Sequence, residues 1–151
     1  IDYIKRVIGL PGDRIQMKEG VLYINDVAVK KDRIEDYVDP TSEAKQDSGM
    51  KLVPQFRETL PNGVSYNVLD YGDIGFPDNT DVFQVPPGNY FMMGDNRDNS
   101  SDSRLSVGFV PLENFVGRAD VLFFSVESDA TLFKIWEWPF KIRWSRLFNL
   151  L

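Results

Sequence analysis

Apolar residues in this chain come in short runs, cut at close intervals by turn residues. "YIKRVIGL" (3–10) carries Tyr3, Ile4, Val7 and Ile8 and predicts a strand. "LPGD" after it predicts a tight turn, in which Pro11 presets φ and Gly12 supplies a positive φ. "VLYI-ND-VAV" (21–29) predicts a hairpin. Val21, Tyr23, Val27 and Val29 are spaced by two, and Asn25-Asp26 can take left-handed backbone. From Lys31 to about Phe83 the pattern degrades. "DP", "DSG", "PNG" and "DYGD" punctuate short apolar runs, which predicts an irregular insertion of strands and loops. Order returns at "VPPGNYFMM", where Pro87-Gly88 predict a turn and a strand follows, and "ADVLFFSV" (119–126) predicts another strand. No repeat and no long amphipathic helix is visible. The expected class is mostly β. Its core is expected from 1–13 and 84–151, with an inserted second lobe at about 14–83.

Against this pattern one segment stands apart. "GDNRDNSSDSR", Gly94 to Arg104, holds no apolar side chain, yet strand-like stretches flank it. It fits a metal loop, a solvated hairpin tip or a rigid part of an active site. Most hairpin loops have about two to five residues, and longer ordered loops are disproportionately functional. Asp98, Asp102, Arg97 and Arg104 can pair with each other or with neighbours, while Asn and Ser side chains can bond backbone groups and stiffen the chain.

Composition narrows the chemistry. Hydrophobic residues at 42% and eleven Phe argue for a packed core. No run approaches the roughly eighteen apolar residues of a membrane span, and no secretory leader is visible. "IDYIKRVIGL" reads as the middle of a strand, so a piece of a longer chain is expected. The chain has no cysteine and no histidine. A Ser-His-Asp triad, a Cys-His pair and a His-based zinc site are therefore excluded within it. Residues 31–83 hold five basic and eleven acidic side chains, which accounts for the whole net charge of −6. The end from Phe133, "FKIWEWPFKIRWSRLFNLL", is aromatic and locally basic. A broad basic face of the nucleic-acid-binding kind is not seen, and no nucleic-acid partner is expected.

Three short motifs lead nowhere. A calcium loop begun at Asp98 would need Gly at its sixth position and Glu at its twelfth, but these are Ser103 and Phe109. "SGMK" (48–51) matches S-x-x-K, but the companion K-T-G and S-D-N elements are missing. "NSS" at Asn99 fits a glycosylation acceptor and is too short to carry weight. Lys5 is different. Taken alone it is an exposed strand lysine, yet in a chain without histidine it is the main candidate base. A lysine acts as a base only when neutral, and desolvation favours that form. Tyr3 and Ile4 are the neighbours expected to bury it.

"YIKRVIGLPGD" (3–13), followed by "PPGNYFMMGDNRDNSSDSR" (86–104), "GFVP" and "VGRA", closely resembles the bacterial type I signal peptidases. The matched segments cover about a third of the chain, and their length and order make the resemblance specific. "WP" and "R-W-S-R" near the end, and the long insertion between the motifs, resemble the Gram-negative members. The resemblance implies a signal-peptidase-like antiparallel β fold with an inserted β-rich lobe. It implies a serine endopeptidase with a Ser-Lys dyad, no metal and no cofactor. Lys5 matches the general base, and Ser100 the serine that orients its amine. Asp102 and Arg104 match a pair that braces the loop, and Arg6 and Asp95 match further supporting positions. Asp2, Tyr3 and Ile4 resemble the strand on which a signal peptide lies, with Ser101 near its pocket. The implied substrates are exported preproteins cut after small residues at −1 and −3. The implied location is the periplasmic side of the inner membrane.

The sequence departs from the family in one serious way. The S-x-S-M-x-P-T segment that carries the nucleophilic Ser is absent from these 151 residues, as are transmembrane anchors. The chain alone is expected to be inactive and to expose an unpaired edge. Trp136, Trp138, Phe140 and Trp144, with basic neighbours, suit a bilayer interface or an ordinary aromatic core equally. Two rivals stand beside this reading: a self-cleaving repressor-type protease, and an acidic β-rich cation-binding or adaptor module.

Overall fold

The computed structural model of the protein describes residues 2–38, 52–72, 77–122 and 149–150. Its regular structure there is strand, apart from a single 3-10 turn at Leu112–Asn114. The mostly β class is what the sequence led us to expect. By contacts the chain divides into two units, Ile1–Phe115 and Val116–Leu151.

Strand β1 (Arg6–Gly9) begins at Arg6, so Tyr3 and Ile4 precede it. The "LPGD" turn follows as expected. Gly12 takes φ +93°, and the Asp13 N–H donates to the Leu10 carbonyl at 3.0 Å. Strand β2 (Arg14–Lys18), not foreseen from the sequence, pairs antiparallel with β3 (Val21–Ile24), which turns into β4 (Val27–Ala28). The turn lies at Asn25 and Asp26, both left-handed, with φ +51° and +67°. The hairpin forms where expected. Leu22, Ile24 and Val29 are in the core, Val21 and Tyr23 are half-buried, and Val27 is exposed. Every residue of "VLYI" is apolar, so alternation alone could not choose the face.

The insertion is more regular than its punctuation suggested. Strand β5 (Lys30–Arg33) pairs with β8 (Gln55–Thr59), and β8 with β9 (Ser65–Leu69), all antiparallel. β6 (Tyr37–Val38) and β7 (Leu52–Val53) form a small separate ladder. β10 (Phe83–Gln84) joins β2 to complete the order β10-β2-β3-β4. β11 (Asn89–Met93) follows a turn at Gly88, where the Asn89 N–H reaches the Pro86 carbonyl at 3.2 Å. It lies between β1 and β12 (Val110–Pro111). β1 is thus an edge strand among the described residues. In the second unit β13 (Val121–Leu122) pairs with β14 (Asn149–Leu150), and most of "ADVLFFSV" lies outside the described residues.

One hydrophobic cluster holds the first unit together. Ile8, Ile15, Met17, Leu22, Ile24, Val29, Tyr66, Val68, Val85, Phe91 and Met93 are buried in it. The Phe91 ring packs 5.0 Å from that of Phe83 and 6.2 Å from that of Phe109. The cluster draws side chains from both sides of the lobe boundary expected at residue 13/14, and the division into two lobes stays a proposal. No helix among the described residues is long and apolar enough to cross a membrane.

A buried polar loop as candidate active site

The loop from Gly94 to Arg104 leaves the end of β11 and is folded into the protein. Arg97, Ser100, Asp102, Ser103 and Arg104 are all buried. The solvated-tip reading is thereby excluded, because burying that many polar groups demands partners for each. Most of those partners are present, and Arg97 Nε, Arg104 Nη1 and Asn96 Oδ1 are the buried atoms of the loop left without one. The Asp102 carboxylate accepts from Arg104 Nε at 3.0 Å and Arg104 Nη2 at 2.8 Å, and from the Gly94 N–H at 3.0 Å. Burial pushes the Asp102 carboxyl up, but the Arg104 side chain and the Gly94 N–H outweigh it and hold it below the usual carboxylate range. Arg104 Nη2 also donates to the Arg97 carbonyl at 2.6 Å. Ser103 ties the loop back to β11: its N–H donates to the Met92 carbonyl at 3.0 Å, and its Oγ accepts from the Met92 N–H at 2.9 Å.

This bracing sets Ser100 against Lys5. Lys5 Nζ donates to Ser100 Oγ at 2.6 Å, between residues 95 positions apart. Gly94 makes room for the pair. A Cβ there would lie 2.5 Å from Ser100 Cβ and 3.4 Å from Lys5 Nζ. Lys5 is half-buried, but not by the neighbours proposed from the sequence. Tyr3 is 76% and Ile4 78% exposed. The polar loop lies against the Lys5 amine instead, through Ser100 and the backbone at Gly94.

Beside Lys5, Arg6 Nε and Nη2 grip Asp95 at 2.9 Å each. The Asp95 hydrogen bond raises the Arg6 pKa, against the opposing effect of burial. The Arg6 guanidinium also lies 4.1 Å over the Tyr66 ring. Beneath this pair is a buried group that the sequence gave little hint of. Arg97 Nη1 donates to Glu58 Oε1 at 2.6 Å, Nη2 bonds Oε2, and the Tyr66 hydroxyl donates to Glu58 Oε2 at 2.9 Å. Burial, and next the Glu58 charge, push the Tyr66 phenol far up. The available signal was the alternation in "SYNVL", which turns Tyr66 inward with Val68. Glu58 gave no signal of its own.

The structure therefore brings together Lys5 with Ser100, Arg6 with Asp95, and Asp102 with Arg104. Asp2, Tyr3 and Ile4 are exposed beside the edge of β1. Ser101 is exposed, its Oγ 3.0 Å from Ser106 Oγ. Trp136, Trp138, Phe140 and Trp144 lie outside the described residues. Elsewhere, carboxylate oxygens of Asp70, Asp78 and Asp98 come within 4.8 Å of one another. Lys31 bonds Asp70, and the Tyr71 N–H donates to Asp98 at 2.6 Å. An open hollow of about 350 Å³ lined by Lys31, Phe56 and Asp70 does not include Lys5 or Ser100 in its lining.

The family model described as "Signal peptidase, peptidase S26" matches residues 1–124. Signal peptidase I of Rickettsia rickettsii (strain Sheila Smith) is 40% identical over 166 residues, covering 100% of this chain and 59% of the relative. That of Rickettsia akari (strain Hartford) is 47% identical over 133 residues, 84% of this chain and 47% of the relative. The chain thus spans about half the length of these relatives. A crystal structure of a signal peptidase I from Enterococcus faecalis V583 aligns at 28% identity over 75% of this chain and 78% of that one, with a TM-score of 0.38.

Proposed function

The chain belongs to the signal peptidase family, peptidase S26, and from that premise we propose that it is the Lys-bearing part of a Ser-Lys serine endopeptidase. In this reading the protein removes signal peptides from exported preproteins, cutting after small residues at −1 and −3. The observation that carries it is the 2.6 Å hydrogen bond from Lys5 Nζ to Ser100 Oγ, on a loop whose buried polar groups are held by one another. A flexible lysine needs such a partner to be aimed at a reacting atom. Ser100 is the orienting hydroxyl and Lys5 the general base.

The nucleophile is a serine outside these 151 residues. Its Oγ attacks the −1 carbonyl while the unprotonated Lys5 amine takes its proton. The tetrahedral intermediate collapses, the leaving amine takes a proton from Lys5, and an acyl-enzyme forms. Lys5 then removes a proton from water, which attacks the ester, and returns that proton to the departing serine Oγ, so that acid product, free serine and neutral Lys5 result. Asp102, Arg104, Arg6 and Asp95 hold the loop and the strand in register. The substrate lies as an added strand along the edge at Asp2, Tyr3 and Ile4, with Ser101 near its side-chain pocket. The exposed edge of β1 supports that placement. The 151 residues alone do not cleave. In the whole protein the site works on the periplasmic side of the inner membrane, with Trp136, Trp138, Phe140 and Trp144 at the bilayer surface.

The test is cleavage of a peptide with an A-x-A site by the full-length protein, wild type beside Lys5→Ala. Wild type is expected to cut after the second Ala, and Lys5→Ala to lose the activity with its fold retained. Equal cleavage by both would make Lys5 structural and end the mechanism.

A further inference from the structure

Two residues of the β8–β9 hairpin reach the loop that carries Ser100. Glu58 is fully buried, and its carboxylate takes three donors: both terminal nitrogens of Arg97 and the Tyr66 hydroxyl. Arg97 is itself 2% exposed. Its backbone carbonyl accepts from Arg104, and Arg104 fixes Asp102, which holds the Gly94 N–H. Backbone bonds run alongside. The Leu69 N–H donates to the Asp95 carbonyl at 2.8 Å, and the Arg97 N–H to the Leu69 carbonyl at 2.8 Å. From the other side Tyr66 receives the guanidinium of Arg6, the neighbour of Lys5. Hairpin, loop and the start of β1, next to Lys5, thus meet around one buried charge pair.

We propose that Glu58, with Tyr66 beside it, is a positioning residue of the candidate active site, acting through Arg97 to hold the loop on which Ser100 meets Lys5. A buried guanidinium that loses its carboxylate is strongly disfavoured. Without the Glu58–Arg97 pair, no charge-assisted bonds tie the side chain of residue 97 to the β8–β9 hairpin, and the backbone carbonyl of that residue, which accepts from Arg104, is free to shift. The effect on cleavage rests on the signal peptidase reading, whereas the effect on the loop does not.

The test uses the full-length protein and two variants. Tyr66→Phe removes one hydrogen bond and no charge. Glu58→Leu with Arg97→Met removes both charges at once, which avoids the unfolding that a stranded arginine would cause. Two quantities are read: hydrogen exchange at the Gly94 amide, with the Val29 and Asn25 amides as references, and kcat and KM on an A-x-A peptide. In the double variant Gly94 exchange is expected to rise at least tenfold over the reference amides, kcat to fall at least tenfold and KM to stay within twofold. Tyr66→Phe moves the same readouts less. Unchanged kcat in a folded double variant overturns the proposal, as does exchange that rises alike at Val29 and Asn25, or a loss carried by KM. If wild type does not cleave but Gly94 responds as expected, the peptidase reading fails and the positioning role of Glu58 stands. If wild type cleaves in a Lys5-dependent way and the double variant matches it, only the role of Glu58 fails.

Discussion

Replacing Gly94 by alanine adds one methyl group at the most crowded point of the candidate site. The new Cβ would stand 2.5 Å from Ser100 Cβ, where carbon atoms prefer about 3.5–4.0 Å. Rotating the Ser100 hydroxyl gives no relief, because the conflict reaches its Cβ. The backbone must move by about 1 Å, and both sides are tied. Gly94 is held by Asp102 at 3.0 Å, and the loop is held to Met92 through Ser103. Overpacking of this kind costs about 1–3 kcal/mol. Displacing Ser100 also removes its bond with Lys5, worth roughly 1 kcal/mol net. The expected loss of stability is therefore about 2–4 kcal/mol, measured by urea denaturation of the full-length protein. Under the proposed mechanism, in which Lys5 is the base, loss of its orienting partner also slows the chemistry, at about tenfold per 1.4 kcal/mol, so kcat on an A-x-A peptide should fall at least tenfold. Gly117→Ala is the control. Nothing lies within 4 Å of its Cβ position, and a change within about 0.5 kcal/mol is expected. A Gly94→Ala protein as stable and as active as Gly117→Ala would refute the reasoning.

Two further outcomes follow from the packing. Asp102 is held below its unfolded pKa of about 3.9, so its contribution is complete above that value and is lost as pH falls through the folded value. Asp102→Asn should destabilise by about 3–5 kcal/mol at pH 7, since it leaves Arg104 buried and unpaired, and the deficit should shrink below about pH 4 in denaturation measured across pH. Phe91→Ala empties the centre of the cluster between Phe83 and Phe109. A loss of about 3–5 kcal/mol is expected by the same measurement, with the Lys5–Ser100 geometry little changed in the folded fraction.

Local chemistry was what the sequence made legible. Turns at Gly12, Asn25-Asp26 and Gly88 follow from residues that accept unusual φ, and the structure has them there. The polar run stood out because eleven residues without an apolar side chain sit oddly between strands, and its burial is the structural counterpart. Pairings over long separations were not legible from residue pattern. Glu58 meets Arg97 across 39 positions, and no periodicity reports such a contact. Strand β2 is hard to read in the sequence because "RIQMK" offers only two apolar residues, although Ile15 and Met17 are almost wholly buried. Lys5, Ser100 and their neighbours were picked out through resemblance to a family. Composition narrowed the candidate bases by removing histidine, but it could not say which serine the lysine would face.

The separation between Lys5 and Ser100 also bears on how the protein is made. The pair spans 95 positions, and a ribosome adds about 5–20 residues per second. Roughly 5–20 s therefore pass after Lys5 is joined before its partner is even polymerised. Throughout that interval the nascent amine has no hydroxyl to orient it. Any activity that depends on this pair is postponed by the order of translation until almost the whole first unit has been synthesised.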